Sequence, residues 1–195
     1  MNQQSGLPAA YQQVEWIGAS GTQYIATNYV PAAGVSAELE YELTDIFSGD
    51  KVFFGCSQTS AQVYVELYDR DRWYCSNGNK KWSNVNNSIG IKLHVKHKVY
   101  MDDNALTVDE NSKPPNSTTG AVSIPIYIFA WNKNGTAQYF HTSARIYKLS
   151  FSENGILSAD YIPCIRKSDN KPGMYDTVSK SFFTNAGTGE FIIPT

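Results

Sequence analysis

An all-β sandwich is the fold class this sequence predicts, and three observations carry the prediction. Apolar and polar residues alternate with a period of two in segment after segment, while helical periodicity is hard to find. Those segments are short, about a dozen in number, spaced roughly 8–15 residues apart and bounded by Gly, Asn, Asp and Pro. The third observation is composition. Charged residues make up only 17% of the chain, and 13 tyrosines help fill the gap. Aromatic and β-branched side chains pack well on a pleated surface. With 195 residues and a hydrophobic fraction of 42%, the chain can bury a core without metal or disulfide support. No break in composition divides it and no repeat of fixed period is visible. One domain is expected from residue 7 to residue 195, behind a flexible segment at 1–6.

The expected strands follow in order. "QYIATNYV" (23–30) ends at Pro31. "SAELEYELTD" (36–45) sets Ala37, Leu39, Tyr41 and Leu43 on one face and Glu38, Glu40 and Glu42 on the other. "KVFFGCS" (51–57), "QVYVELYD" (62–69) and "RWYCSNG" (72–78) follow, the last ending in an Asn-Gly turn signal. Residues 89–111 read as two strands joined across Asp102, Asp103 and Asn104, residue types suited to a tight turn. Pro114 and Pro115 argue against a strand over 112–120. "VSIPIYIFAWN" (122–132) is the most apolar segment and is expected as a central strand. "SARIYKLSFSENG" (143–155) alternates again, with Ile146 and Leu149 toward a core. "GILSADYIPCIRK" continues it, and residues 161–187 read as closing hairpins turned at "KSDNKPG" and near Gly187 and Gly189. Arg166 and Asp176 are placed to pair across the first of these turns.

Several classes are excluded or given no support. The net charge of −2, with no basic stripe, carries no nucleic-acid footprint. No apolar run approaches the roughly 18 residues of a membrane span. "MNQQSGLPAAYQQ" lacks the charged and apolar regions of a secretory signal, so the protein is expected to act where it is made or to leave by lysis. The three cysteines, Cys56, Cys75 and Cys164, match no zinc spacing and are read as reduced core residues; a Cys56–Cys75 bridge stays open.

Candidate chemistry is sparse. Glu38, Glu40 and Glu42 share one strand face at roughly 6–7 Å spacing. A glycosidase needs a carboxylate pair near that range, but a solvated outer sheet face looks the same and is the default. His94 and His97 fall on opposite faces of a strand and cannot easily share a metal. Asp102, Asp103 and Asn104, or Asp69 and Asp71, offer oxygen ligands for calcium; as turns they need none. The aromatics are more informative. Trp73, Tyr74, Trp82, Trp131 and Tyr139 lie on or beside loops rich in Asn, Ser and Gly. Aromatic faces next to amides grip sugar rings, and the same side chains serve protein interfaces or core packing. The expected ligand-binding set is Trp73, Tyr74, Asn77, Asn79, Trp82, Trp131 and Asn132, with no catalytic residue assigned.

"LPAAYQQVEWIGASGTQYIATNYVP", "IYIFAWNKNG", "RIYKLSFSENGILSADYIPC" and "IPCIRKSDNKPGMYDTVSKSFFTNAGTGEF" together span Leu7 to Phe191. They resemble a concanavalin A-like (laminin-G-like) jelly-roll family found in tailed-phage virion proteins and in surface proteins of gut bacteria. The resemblance implies two curved antiparallel sheets and a non-enzymatic role. It implies a virion structural protein (a capsid decoration, fibre or tail component), assembled in the host cytoplasm and extracellular after lysis. Its partners would be other virion proteins, further copies of itself as a trimer, and host-surface glycans. The alternative it leaves is a carbohydrate-binding module of a bacterial surface or secreted protein.

Overall fold

The computed structural model describes residues 6–69, 71–86 and 90–194. The segment expected to be flexible, 1–6, therefore lies outside the described residues except for Gly6. Among the described residues there is no helix. Two antiparallel sheets, of ten and nine strands, form a sandwich. The strands are β1 (Tyr11–Gln13), β2 (Ile17–Ala19), β3 (Ile25–Ala26), β4 (Ser36–Leu43), β5 (Asp50–Gln58), β6 (Ala61–Tyr68), β7 (Arg72–Asn77), β8 (Lys80–Asn86), β9 (Lys96–Met101) and β10 (Leu106–Val108). They continue with β11 (Asn111–Lys113), β12 (Ser117–Thr118), β13 (Tyr127–Ile128), β14 (Trp131–Lys133), β15 (Thr136–Gln138), β16 (Ala144–Glu153), β17 (Ile156–Arg166), β18 (Lys171–Asp176) and β19 (Ser181–Thr184).

The ten-stranded sheet runs β11-β10-β9-β4-β16-β17-β18-β19, with β1 beside β17 and β2 beside β16. The nine-stranded sheet runs β12-β8-β7-β6-β5-β13-β3, with the β14–β15 hairpin added alongside β5. Alternation sorts each strand between the core and the outside. On β4, Ala37, Leu39, Tyr41 and Leu43 are buried; they meet Val63, Val65 and Leu67 of β6 and Trp73 and Cys75 of β7 in one hydrophobic cluster. Ile146 and Leu149 both reach that core although they are three apart, an odd spacing for one strand face. A bulge between Ile146 and Lys148 resets the alternation.

Two expectations need correction. The apolar segment 122–132 is not one central strand. It is broken into β13, antiparallel to β5, and β14, parallel to it. Phe129 lies between them at φ +65°, in the left-handed region, and its N–H donates to Phe53 O at 2.7 Å. That turn reverses the chain within a few residues. The segment 112–120 does carry strand, but only as the short β11 and β12. Both are edge strands flanking Pro114 and Pro115, where a missing N–H is tolerated.

Candidate functional site

The structure divides the expected ligand-binding residues between two faces of the nine-stranded sheet. Trp73 and Trp82 point inward and are fully buried. Trp73 is paired with Leu67, and Trp82 with Cys75, both core residues. The Trp73 ring lies near Phe53 (6.1 Å) and Tyr41 (6.1 Å), and the Trp82 indole N–H donates to Lys113 O at 2.9 Å. The polar residues between them are largely drawn inward as well: Ser76, Asn77 and Gly78 are buried, and Asn79, Lys80 and Lys81 are half-buried. Trp73 and Trp82 are core residues, so the expectation that they bind a ligand is withdrawn.

The expected asparagines are also spent on structure. Asn77 and Asn79 donate their side-chain amides to the two carboxylate oxygens of Asp103 at 2.8 and 2.9 Å. Asp103 sits in the β9–β10 turn, so this clamp ties one sheet to the other. Asn77 Oδ1 further accepts from the backbone N–H groups of Asn79 and Lys80. Asn132 donates to Pro125 O and accepts from Gly135 N, both at 2.7 Å, which shapes the β14–β15 turn.

Tyr74 and Trp131 remain, and both lie on the outer face of the nine-stranded sheet. There Val52, Tyr64 and Trp131 form a second hydrophobic cluster against which Tyr74 packs. Trp131 stacks on Tyr64 with ring centroids 4.4 Å apart, so one face of the indole is already covered and the residue is only 7% exposed. Tyr139 stands 5.8 Å from Trp131. Lys133 Nζ sits over both rings, 5.3 Å from Trp131 and 4.9 Å from Tyr139. The Trp131 indole N–H and Gln62 Oε1 are buried with no hydrogen-bond partner among the described residues.

Beside this layer is a carboxyl pair that the sequence did not disclose. Glu66 follows Tyr64 on the same face of β6 and is 5% exposed. Burial, together with a hydrogen bond and the negative charge of Asp50, pushes its carboxyl up to about 8, against the weaker pull of Lys133 and Lys81. The Glu66 carboxyl is thereby held protonated toward neutral pH, hydrogen-bonded to Asp50. At hydrogen-bonding range the two carboxyls stand closer than the roughly 5–9.5 Å that a glycosidase pair spans.

The face formed by Glu38, Glu40 and Glu42 is a lattice of ion pairs on the outside of the ten-stranded sheet. Glu40 meets Lys98 at 2.8 Å and Glu38 meets Lys148 at 3.2 Å. Glu42 accepts from Arg145 at 2.9 Å and from the Tyr147 hydroxyl at 2.6 Å. Cations directly opposite carboxylates are how an exposed sheet face keeps its register. We therefore expect Glu40→Gln to leave the melting temperature nearly unchanged. Any hydrolysis of glycoside substrates should be the same in both proteins; a loss of turnover in the variant would return catalysis to this strand.

The remaining candidates are held by local structure. His97 is buried, with Nδ1 2.5 Å from Asp109 and Nε2 3.0 Å from Lys92 O. Asp102 Oδ1 accepts from the backbone of Asn104 and Ala105, closing the turn, and Asp69 Oδ1 accepts from Gly49 N. Among the described residues no group of three or more His, Cys, Asp or Glu is arranged to hold a metal ion. Arg166 does not pair with Asp176. It forms a two-point contact with Asp169 at 3.0 and 2.6 Å, while Asp176 accepts from the backbone N–H groups of Asp160, Val178 and Ser179. All three cysteines are free and buried; burial pushes the Cys56 and Cys164 thiols up to about 12, far from reactivity at neutral pH. No protein-family model matches this chain, and no curated protein matches it either.

Proposed function

We propose that this protein is a non-enzymatic virion structural component of concanavalin A-like jelly-roll fold that binds glycans weakly and acts through multivalent display. Support for the fold family and the virion setting comes from the sequence resemblance, with which the two-sheet sandwich agrees. One observation carries the glycan reading: the aromatic layer on the outer face of the nine-stranded sheet, where Tyr139 and Tyr74 keep accessible edges around Trp131 and Lys133. Rings of this kind stack on the C–H face of a sugar while a nearby ammonium and amides bond its hydroxyls. A single such contact is weak, but display in many copies can raise avidity by roughly 10²–10⁴-fold.

The test is a glycan array probed with the protein multivalently coupled to beads, with and without calcium. Binding to a defined sugar that Tyr139→Ala and Lys133→Ala abolish, in variants with wild-type melting temperatures, is the expected result. A blank array from folded protein would overturn the glycan reading and leave protein docking within a particle. The alternative, a carbohydrate-binding module of a bacterial surface system, predicts the same array and differs in where the protein is found: on the cell envelope rather than on purified particles.

A further inference from the structure

The outer face of the ten-stranded sheet holds an open trough of about 190 Å³, lined by Ser36, Glu38, Tyr100, Ser150, Ser152 and Gly155. Strand register explains why these side chains meet. Tyr100 of β9 is opposite Glu38 of β4, and Glu38 is opposite Ser150 of β16. Ser36 is opposite Ser152 one step along. Residues directly opposite in a ladder project from the same face, so one tyrosine ring, one carboxylate and three hydroxyls converge on a single depression. Elsewhere on this face long ion-paired side chains cover the sheet; here serines leave it open.

Most of its polar atoms are unused. Among the described residues, none hydrogen-bonds the hydroxyls of Ser36, Ser150, Ser152 or Tyr100. Glu38 is engaged by Lys148 through Oε2 alone, at 3.2 Å, which leaves Oε1 free. The Tyr100 ring is 44% exposed. A hydroxyl both donates and accepts, and a carboxylate oxygen accepts from a hydroxyl more strongly than a neutral group does. The volume equals about six waters at roughly 30 Å³ each, the size of one sugar ring.

We infer that this trough is a binding site for a neutral saccharide residue, stacked on Tyr100 and hydrogen-bonded to Glu38 Oε1 and the three serines. Neutrality follows from the floor: Lys148 is held by Glu38 and Lys98, the other cation near Glu38, by Glu40, so an acidic sugar finds no free cation. The trough and the aromatic layer of the other sheet are separate sites, and either can fail without the other.

The experiment is an amide-shift titration of ¹⁵N-labelled protein by NMR. The probes are glucose, galactose, mannose and their N-acetyl forms, with glucuronic and N-acetylneuraminic acids as charged controls. The expected result is saturable shifts at Ser36, Glu38, Tyr100, Ser150 and Ser152 with at least one neutral sugar and weaker ones with the acids. Tyr100→Ala and Ser152→Ala, both exposed enough to leave the fold intact, should weaken binding about tenfold or more; Glu38→Gln should erase the discrimination against glucuronic acid. Shifts confined to Tyr74, Trp131 and Tyr139 would overturn the trough and support the aromatic layer. Shifts at the trough alone would do the reverse, and an absence of shifts with every sugar would overturn both.

Discussion

Conformational stability is expected to be flat between about pH 4.5 and 6.5 and to fall on either side, and two buried groups set those limits. His141 is fully buried against Phe53 (4.3 Å) and Phe47 (5.3 Å), and neither ring nitrogen has a partner among the described residues. Burial, aided by Lys51, lowers it from 6.5 to about 3. The unfolded chain therefore binds a proton below pH 6.5 that the folded chain refuses, and stability is lost as pH falls from 6.5 toward 3. Glu66 acts in the opposite sense. Raised from 4.5 to about 8, it keeps its proton when folded and releases it when unfolded, so stability is lost as pH rises from 4.5 toward 8. Between 4.5 and 6.5 the two slopes cancel. Outside that window each acts alone, over about 1.5 pH units, or about 2 kcal/mol. Urea denaturation across pH checks this. Relative to wild type, Glu66→Gln should remove the fall above pH 6.5, and His141→Phe should remove its share of the fall below 4.5. Profiles for the variants that run parallel to wild type would refute the assignment.

Trp73→Ala and Trp82→Ala are each expected to cost about 3–5 kcal/mol, because truncating a buried tryptophan loses its transfer energy and leaves a cavity. Single domains hold only about 5–15 kcal/mol in all, so either variant should be partly unfolded or lose a large share of its denaturation midpoint. Trp82→Ala also strips Lys113 O of its indole donor. The comparison is Tyr139→Ala, which removes a ring already 38% exposed and should leave the midpoint close to wild type. A Trp73→Ala protein with wild-type stability and abolished glycan binding would restore that residue to a binding site.

Trp73 and Tyr74 do not belong to one sheet-face site. They are neighbours on one strand, and neighbours project to opposite faces. The same holds for Trp131 and Asn132. The polar stretch "SNGNKK" (76–81) that separates Trp73 from Trp82 suggests exposure, yet Ser76 and Asn77 are themselves buried, and polarity says nothing about where the preceding strand points. Cys75, two residues beyond Trp73 on the same strand, is the signal that this face is the core; Trp82 and Val85, of opposite parity on β8, both face inward because the β7–β8 register is irregular there.

Alternation alone determined the all-β class, the inward set on β4, the turn across Asp102, Asp103 and Asn104, and the polar outer face of Glu38, Glu40 and Glu42. These depend only on neighbours a few residues apart, where the pleat converts sequence parity directly into facing. What only the tertiary structure decided are contacts between strands: Asp50 against Glu66, Asp103 against Asn77 and Asn79, Trp131 against Tyr64, and the trough beneath Tyr100. Pairing and register bring those groups together across separations of up to about a hundred residues, and a bulge or one left-handed residue such as Phe129 is enough to redirect a strand. No local pattern encodes that choice, because the free energy that selects it comes from the packed sheets as a whole.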